Sequence, residues 1–454
     1  MRRVASRPGL ARVLLVIVAV AAASLLIFSP APGYDAWTWL LWGREVAGGG
    51  LSTVDGPAFK PLPVAVCALL APLGGAAPWL WVLLVRVAAA TACWLAFRLG
   101  RRLADGSVAG GVLAAGGVAL TGGFAGQAAV GGEAPLLLAF ALAGLEAWRA
   151  GWVRAALLCG VACALLRVEA WPFLVLACVV ASRRTPHVRA MVATLLLVPV
   201  AWFVPEWLGS GDALRSGTRA LEPAVGGAPA GALTSLTAAT GLVLWPLWLG
   251  LLNRAAWPLA AAGAAWIAIV AAMAQAGFSG EPRYLLPGAA LLSIAGAAGL
   301  TRAWATSRVA LQAQNSPHPT KRIPYKRLFT PALALLLALA ATPRLADLPA
   351  LHDAQSHQQA LAHDLARAIT AAGGTRAVLA CGTPYVGPLR GPLMAYHLRV
   401  TKRTVEPDAP PRPPGTVFRA RLTATSAPAP QAQPPFRTTV RAGTWEVLSR
   451  CATN

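Results

Sequence analysis

The chain alternates long apolar runs with short clusters of arginine, and this alternation limits its fold more than any other feature. Apolar residues make up 56% of its 454 residues, and only 12% are charged. The runs lie at 13–28, 78–99, 107–124, 133–148, 155–166, 171–181, 192–207, 233–252, 255–276, 285–300 and 328–342. Serial apolar runs near the length of a bilayer crossing are typical of membrane helices. We therefore expect an all-α polytopic membrane protein with about eleven transmembrane helices.

The net charge of +22 could suggest nucleic-acid binding, but the basic residues stand between apolar runs and not on one face. This placement is the positive-inside pattern of membrane topology, so no nucleic-acid partner is expected. The basic start, with Arg2, Arg3, Arg7 and Arg12, puts the N-terminus in the cytoplasm. A signal peptide cleaved near 29–31 is the alternative, but the many later apolar runs favour an uncleaved first helix. Abundant Arg, Ala, Gly and Pro suggest a GC-rich bacterial genome, and the expected location is the inner (plasma) membrane.

The apolar run at 62–77 is the one whose topology is ambiguous. At about 1.5 Å per residue it reaches ~24 Å, short of the ~30 Å hydrocarbon core. If it crossed the membrane, Arg98, Arg101 and Arg102 would lie outside. We therefore expect an outer juxtamembrane helix at 62–77 within a first outer loop at 30–77, and an inward crossing at 78–99.

Later apolar runs follow the same charge rule. The short runs at 155–166 and 171–181 predict a hairpin whose charged tip, Arg167 to Glu169, lies below the outer surface. The loop at 301–327, with Lys321 and Arg322, is expected to be cytoplasmic, as is the stretch that holds Arg184. If 328–342 then crosses, everything after it lies outside. The sequence thus predicts a transmembrane domain at 1–345 and an extracytoplasmic C-terminal domain at 346–454.

The C-terminal region has the character of a small soluble α+β domain. Its periodicity predicts a helix at 352–372 and strands at 376–380 and 445–448. Proline-rich segments at 408–414 and 427–435 are expected to be irregular. Cys381 and Cys451 would form a disulfide if this region lies outside the cytoplasm.

The predicted topology gathers polar residues from five separate loops at the outer face. They are Asp35, Glu45, Asp55, Lys60, Glu133, Arg167, Glu169, Asp212, Arg215, Arg219, Glu281, Arg283 and Tyr284. Charged groups at membrane depth either pair with one another or mark a substrate path. Arg86, inside an apolar run near its outer end, is expected to pair with one of these acids.

Two carboxylates in this set are candidates for catalysis. Asp35 stands before an aromatic stretch, where it could cap an interfacial helix or act as a general base. Glu133 follows a pair of glycines and opens a helix, where a carboxylate also suits the helix dipole. The residues alone leave both interpretations open.

The basic and aromatic candidates have two interpretations as well. Lys60 could contact a phosphate or extend to the membrane surface, and Arg167 and Glu169 could neutralise each other. Arg283 could bind a phosphate through its forked guanidinium, with Tyr284 beside it. The alternative is an ordinary juxtamembrane arginine next to an interfacial tyrosine.

Three stretches resemble the GT-C superfamily of polyprenyl-phosphate-sugar-dependent glycosyltransferases, including protein O-mannosyltransferases and aminoarabinose transferases. They are the first outer loop with its early acid and Lys-Pro turn, AFRLGRRL at 96–103, and RYLLP at 283–287. LRVEAWP at 166–172 resembles a motif of actinobacterial membrane members. The resemblance covers about residues 1–345. It implies that Asp35 acts as a base or orients the acceptor, that Lys60 lies near the lipid phosphate, and that Glu133 is the acid of the second outer loop.

The resemblance also implies a function, which is an inverting transfer of sugar from a polyprenyl phosphate to a glycan, lipid or protein acceptor of the cell envelope. The expected catalytic residues are Asp35 and Glu133, and the expected substrate-binding residues are Lys60, Arg167, Glu169, Arg283 and Tyr284. Ala36 stands where many members have a second acid, which leaves a divalent metal (Mg²⁺ or Mn²⁺) an open question. A lipid or small-molecule transporter and a non-catalytic envelope assembly protein on the same fold are the rival hypotheses.

Overall fold

The computed structural model of the protein describes residues 7–183, 188–222, 231–313, 325–407 and 409–452. Helices make up most of this part, and a small mixed sheet lies near its C-terminal end. The predicted combination of a helical membrane part and a small α+β appendage is confirmed. Several residues named in the topology prediction lie outside the described residues, namely Arg2, Arg3, Arg184, Lys321 and Arg322.

The first half of the chain forms short and long helices up to the charged hairpin. They are α1 (Arg7–Ile27), α2 (Tyr34–Ala47), α3 (Pro61–Leu70), α4 (Ala77–Leu103), α5 (Val108–Ala119), α6 (Phe124–Ala129), α7 (Ala134–Arg149), α8 (Val153–Leu166) and α9 (Trp171–Ser182). A single turn of 3-10 helix, Val168–Ala170, joins α8 to α9. The predicted hairpin with its charged tip is therefore present.

The second half continues the bundle. It contains α10 (Val188–Ser210), α11 (Arg215–Leu221), α12 (Ala232–Leu242), α13 (Trp245–Gly250), α14 (Trp257–Gln275), α15 (Pro282–Ala313) and α16 (Tyr325–Ala371). The run at 233–252, expected as one helix, is broken between α12 and α13, where Val243 and Leu244 are extended. Pro246 stands in the first turn of α13, a position that suits proline because its missing N–H has no helical partner there.

Within the described residues, five helical stretches are long and apolar enough to cross a membrane. They are Pro61–Leu103, Ala193–Ser210, Arg254–Gln275, Pro282–Thr306 and Ala334–Ala371. Shorter apolar helices include Val108–Ala119 and Val153–Leu166. Leucines on the outside of the bundle are widely exposed, such as Leu26 at 90% and Leu158 at 69%. Such surfaces are favourable against lipid, so this is a multi-pass membrane protein. The total of eleven crossings stays a prediction.

The juxtamembrane run at 62–77 is a separate element from the helix that follows it. After α3 the chain forms a 3-10 segment, Ala71–Ala76, and Gly74 takes φ 57 and ψ −122 before α4 begins. A positive φ is accessible to glycine without steric cost, so the chain can change direction at this point. The segment at 30–77 thus has its own short helix, as predicted, and the location of that helix at the outer membrane face stays a prediction.

Three helices carry the predicted cytoplasmic charge clusters away from the predicted outer face. Arg98 and Arg102 at the end of α4 pair with Glu146 near the end of α7. Arg302 in α15 pairs with Asp105 in the loop after α4. The 27 residues of α4 extend about 40 Å at 1.5 Å per residue. The basic clusters therefore meet at one end of the bundle, and Glu133 and Arg283 stand at the opposite ends of α7 and α15.

Glycines allow α13 and α15 to approach closely. A Cβ on Gly250 would lie 1.8 Å from the carbonyl oxygen of Gly296, and one on Gly299 would lie 1.9 Å from that of Gly250. Small residues at such crossings are the usual way for membrane helices to pack backbone against backbone. This crossing holds the long α15, which carries Arg283 and Tyr284, against the rest of the bundle.

Arg86 has different partners from those predicted. Its guanidinium donates to the carbonyl oxygens of Ser24 at 2.9 Å and Phe28 at 2.8 Å, and more weakly to Ser29 and Ala129. The prediction that it pairs with an outer acid is wrong. The carbonyl of Phe28 lies past the end of α1 and has no helical partner there, and the buried arginine satisfies it, while the Ser24 carbonyl also accepts from the Phe28 N–H.

The C-terminal domain begins without a break in the helix. The 47 residues of α16 run through the predicted boundary at 345/346 and continue beneath the sheet. Pro343 lies inside this helix, which continues because a proline removes only one backbone donor and need not end a helix. The remaining elements are α17 (Gly374–Cys381), β1 (Thr383–Val386), α18 (Gly391–Leu398), β2 (Gly415–Arg421), β3 (Pro428–Ala429), β4 (Arg437–Ala442) and β5 (Trp445–Arg450).

The sheet packs on the end of α16. Its order is β1-β2-β5-β4, with β1 parallel to β2, the other pairs antiparallel, and β3 beside β2. Trp445 is buried and its Nε1 donates to the carbonyl oxygen of Leu361 at 2.9 Å. The backbone N–H of Thr444 donates to Asp364 at 2.7 Å. The predicted strand at 445–448 is therefore confirmed.

The predicted strand at 376–380 is wrong, because these residues lie in α17. Val378 and Cys381 are buried three positions apart, which is the spacing of one helical face. Cys381 forms a disulfide with Cys451. It ties α17 to the residue after β5.

The C-terminal domain docks on the first outer loop through α18 and α2. Arg44 of α2 donates to the carbonyl oxygens of Tyr396 at 2.7 Å and Val400 at 3.0 Å, and its guanidinium lies 5.2 Å from the Tyr396 ring centroid. The Trp37 ring lies 5.3 Å from Tyr396 and 5.8 Å from His397. The C-terminal domain thus holds α2, the helix that carries Asp35, in place.

Replacing Arg44 by alanine should loosen this docking. Each charge-assisted hydrogen bond contributes on the order of 2 kcal/mol, so the docked domain should become much more sensitive to limited proteolysis in detergent. Arg403→Ala, an exposed arginine of the same domain, is the matched control. Equal cleavage rates for the two variants would contradict this role of Arg44.

Docking should also weaken in acid. Burial, reinforced by Arg44, lowers the pKa of His397 to about 4, whereas an exposed histidine titrates near ~6.5. The neutral ring therefore contributes stability above about pH 6.5 that is lost as the pH falls towards 4. The proteolysis rate of the wild type should rise over this window, and that of His397→Asn should depend less on pH. Identical pH profiles would refute the assignment.

Candidate active site

A cavity of about 630 Å³ opens among α2, the tip of the α8–α9 hairpin, α11 and the start of α15. Its polar lining consists of Asp35, Lys60, Arg167, Glu169, Arg219, Glu222, Glu281, Arg283 and Tyr284, among others. Its apolar lining includes Leu166, Val168, Trp171, Trp202, Phe203, Val270, Met273 and Phe278. The cavity thus has a charged region beside an apolar wall, an arrangement that suits an amphiphilic ligand.

Asp35 lies in the first turn of α2 and forms an ion pair across the cavity. Gly33 is the residue that caps this helix, and Asp35 makes no capping hydrogen bond. Its carboxylate instead accepts from Arg283 at 2.7 Å, although 248 residues separate the two in sequence. Arg283 also contacts Glu281, with Nε 2.6 Å from the carboxylate. The cap interpretation of Asp35 is therefore excluded, and its side chain faces the cavity.

Glu133 bridges two cations behind the cavity wall. Its Oε1 lies 2.5 Å from Nζ of Lys60 and 3.0 Å from a guanidinium nitrogen of Arg167. All three side chains are at least nine-tenths buried. Burial lowers the pKa of the Lys60 ammonium, and the Glu133 carboxylate opposes that shift. Removing one member of such a buried group would leave an uncompensated charge.

Arg167 joins this group to the rest of the site. It pairs with Glu169 at 2.6 Å, which fits the alternative interpretation that the two neutralise each other, and its guanidinium lies 3.8 Å from the Tyr284 ring centroid. The predicted role of both residues in substrate binding stays a prediction. Arg283 lies 5.3 Å from the same ring. The hydroxyl-bearing ring of Tyr284 therefore lies beside both guanidinium groups. Cation–π contacts of this kind hold the planar side chains in fixed orientations.

The structure brings together the predicted site residues but separates the two predicted catalytic acids. Asp35 lines the cavity, whereas Glu133 is 3% exposed and does not line it. A carboxylate committed to two buried cations is a weak base with no access to substrate. The expectation that Glu133 acts directly in catalysis is therefore replaced by a structural one, in which it fixes Lys60 and Arg167.

The segment at 53–59 is held in place by α11. Arg215 donates to the carbonyl oxygens of Val54 and Gly56, each at 3.0 Å. The backbone N–H of Phe59 donates to the Ser216 hydroxyl at 2.7 Å. Because Phe59 directly precedes Lys60, these contacts also position the lysine. The charge pattern of the sequence placed Arg215 at the outer face but gave no signal for Ser216.

Other acids of the predicted outer face serve local structure. Glu45 accepts from the backbone N–H of Ser52 at 2.9 Å, and Asp212 accepts from that of Leu214 at 2.8 Å. Asp55 lies in the first loop but does not line the cavity. The predicted topology placed these three residues with the site residues, but they do not line the cavity.

The described residues do not fit a divalent metal. Within them, no three His, Cys, Asp or Glu side chains lie close enough together to hold an ion. The cavity acids Asp35 and Glu169 face arginines, and Ala36 supplies no second carboxylate. Mg²⁺ and Mn²⁺ prefer several oxygen ligands, and lysine or arginine partners occupy those positions here.

The buried bridge at Glu133 should be indispensable for stability. Glu133→Gln leaves Lys60 and Arg167 without their shared counter-charge, which costs on the order of 3–5 kcal/mol in a buried site. The melting temperature of the detergent-solubilised protein should fall clearly. Glu146→Gln is the matched control, because its arginine partners are 38% and 42% exposed and surface pairs contribute about 1 kcal/mol or less. Equal shifts for the two variants would contradict this account.

No protein-family model matches this chain, and no curated protein matches it. Among solved structures, it is similar to ArnT from Cupriavidus metallidurans bound to undecaprenyl phosphate, with a TM-score of 0.59 and 15% identity over 98% of each chain. The apo state of ArnT gives a TM-score of 0.56 at 15% identity, again over 98% of each chain. The chain therefore shares the fold of ArnT over nearly its whole length, and the predicted GT-C-like fold class is confirmed.

Proposed function

We propose that this protein is a glycosyltransferase that moves a sugar from a polyprenyl phosphate to a cell-envelope acceptor at the outer face of the inner membrane. The observation that carries the proposal is the convergence of Asp35, Lys60 and Arg283 on one cavity of a GT-C fold. The ArnT structure bound to undecaprenyl phosphate supports the choice of donor. The likeness to actinobacterial members and the cytoplasmic N-terminus belong to the same proposal.

The cavity offers an apolar surface to one end of such a donor and a charged surface to the other. An isoprenoid chain would lie along the apolar wall, where Trp171 and Phe203 are available, and its phosphate would lie at the charged region. Arg283 presents a forked guanidinium and Lys60 a point charge, two complementary ways to bind phosphate. Membrane lipids would surround the entrance to this wall.

The transfer can be written as a single displacement with inversion. The acceptor hydroxyl oxygen forms a bond to the anomeric carbon while the bond from that carbon to the phosphate oxygen breaks. The hydroxyl proton passes to the carboxylate of Asp35, and the polyprenyl phosphate leaves with one additional negative charge. Arg283 and Lys60 stabilise that developing charge, which is the largest catalytic contribution that the site offers.

The ion pairs at the cavity imply an order in which the donor and the acceptor bind. The described cations of the charged region each have a carboxylate partner: Lys60 and Arg167 share Glu133, and Arg283 holds Asp35. A phosphate that reaches Arg283 competes with Asp35 for the same donors. A carboxylate released from a guanidinium becomes a stronger base. Donor binding would thus prepare Asp35 for the acceptor, so the donor should bind first.

Replacing Asp35 by asparagine should separate binding from chemistry. Loss of a general base typically lowers the rate about 10²–10⁴-fold, while the neutral amide releases Arg283 and should leave undecaprenyl phosphate binding intact or tighter. Purified protein is incubated with a panel of polyprenyl-phosphate sugars, and released polyprenyl phosphate is measured. Binding of undecaprenyl phosphate is measured in parallel by thermal shift.

Asp55→Asn is the matched control, because Asp55 lies in the same loop but does not line the cavity. This variant should keep wild-type transfer. Full activity in Asp35→Asn would remove Asp35 from the mechanism. A wild-type protein that neither binds undecaprenyl phosphate nor releases polyprenyl phosphate from any donor in the panel would overturn the proposed function itself.

A further inference from the structure

A second cavity lies in the C-terminal domain and shares no lining residue with the cavity that holds Asp35. Its volume is about 320 Å³, near the lower end of the sizes at which small-ligand sites occur. The end of β2, the turn between β4 and β5, and α16 form its walls. Its charged or titratable lining residues, here called the arginine pocket, are His357, Arg419, Arg421, Arg441 and Glu446.

The arginine pocket carries more positive charge than its acid can compensate. Arg419 and Arg441 share Glu446, at 3.5 and 3.2 Å, and Arg421 donates to the carbonyl oxygen of Ser426 at 3.0 Å. The Nε of Arg419 is a buried donor without a hydrogen-bond partner among the described residues. Three guanidinium groups beside one carboxylate, with one donor still unsatisfied, suit an anion that offers several acceptor oxygens.

A buried arginine behind the wall adds to this charge. The guanidinium of Arg390 lies 5.5 Å from the ring centroid of Trp445 and donates to the carbonyl oxygen of Ala420 at 3.1 Å. Both Trp445 and Ala420 line the pocket. Arg390 is 2% exposed, and its Nε and Nη2 have no partner in the part of the chain that the structure describes. A buried charge without a counter-ion is costly, and an anion in the pocket would offset part of that cost.

The pocket begins at the depth of phospholipid headgroups. The 21 residues of α1 extend about 31 Å, the thickness of the hydrocarbon core, so as the predicted first crossing α1 ends at the edge of that core. His352 of α16 contacts the carbonyl oxygen of Ile27, the last residue of α1. His357 lies one and a half turns further along α16, which is about 7.5 Å. Headgroups occupy this layer, because they extend the bilayer from ~30 Å to about 40–45 Å.

An apolar face of α16 leads from the bilayer to the pocket. Leu335 and Leu339 are 59% and 57% exposed, as expected for side chains in contact with acyl chains. Leu339 precedes His357 by eighteen residues, which is five helical turns, so the two residues share one face of the helix. A lipid with its headgroup in the pocket would therefore lay an acyl chain along this face.

We propose that the arginine pocket binds the phosphate headgroup of an anionic phospholipid of the outer leaflet. The phosphodiester supplies the acceptor oxygens that the guanidinium groups lack, and the exposed leucines below supply the contact to the acyl chain. Because this pocket and the cavity of Asp35 have no lining residue in common, the lipid is a bound partner and not a substrate. It anchors the C-terminal domain to the membrane, in addition to the contact of α18 with α2. This inference does not depend on the proposed transfer activity.

The first test measures lipid binding to the full chain in detergent by native mass spectrometry. The wild type should retain phosphatidylglycerol in preference to phosphatidylcholine. Arg419→Gln and Arg441→Ala should each lower the affinity for phosphatidylglycerol about tenfold, through the loss of a charge-assisted hydrogen bond. Arg441 is 79% exposed, so its replacement leaves the fold intact even if Arg419→Gln does not.

Arg437→Ala is the matched control, because Arg437 is an exposed arginine at the start of β4 and does not line the pocket. It should bind phosphatidylglycerol as the wild type does. Equal retention of the two lipids by the wild type, or an equal loss of affinity in Arg437→Ala and Arg441→Ala, would overturn the proposal.

Competition distinguishes a lipid headgroup from other sources of phosphate. Inorganic phosphate and glycerol 1-phosphate, which lack acyl chains, should not displace phosphatidylglycerol even in large excess. Displacement by either would assign the pocket to a soluble phosphate. Displacement by undecaprenyl phosphate would make it a second site for that lipid. Each of these results would overturn the proposal.

Photocrosslinking tests the position of the pocket relative to the membrane. A benzophenone amino acid replaces Arg441, or Arg437 as control, in the full chain in nanodiscs of phosphatidylcholine and phosphatidylglycerol. Irradiation should give an adduct with phosphatidylglycerol at position 441 only. No adduct at position 441, equal adducts at both positions, or an adduct with phosphatidylcholine in its place would contradict a headgroup site.

Discussion

The bridge from Glu133 to Lys60 and Arg167 is the interaction on which the rest of the site depends. It joins the first outer loop, the start of α7 and the tip of the α8–α9 hairpin in one buried group. Buried charges are tolerated only when their partners are fixed, so the bridge constrains three segments that are far apart in sequence. Arg167 extends this order to Glu169 and Tyr284. The cavity is thus preorganised before any ligand arrives.

Two further supports surround this bridge. On one side, α11 holds the segment before Lys60 through Arg215 and Ser216. On another, α18 of the soluble domain holds α2 through Arg44, and α2 carries Asp35. Interactions that neither touch substrate nor take part in proton transfer therefore determine where the phosphate-binding and basic groups lie. The same docking brings Pro388, Leu389 and Pro407 of the C-terminal domain to the cavity wall.

The pattern of charged and apolar residues predicted the membrane fold and most of the polar residues that line the cavity. It could do so because this pattern depends only on residues that are near one another in the sequence. Arginine clusters placed Lys60 and Arg283 at one face, and the length of the 62–77 run indicated a separate helix. The pairing partners were not predictable in the same way. Asp35 and Arg283 are 248 residues apart, and nothing near Arg86 in sequence indicates that it satisfies carbonyls at the end of α1.

The most direct test of the central claim is a structure of the protein with undecaprenyl phosphate, the lipid seen in the ArnT complex. The phosphate should contact Arg283 and Lys60, with Asp35 separated from Arg283 and Glu133 still bridging Lys60 and Arg167. A phosphate bound elsewhere, or an Asp35–Arg283 pair that stays intact beside it, would contradict the account.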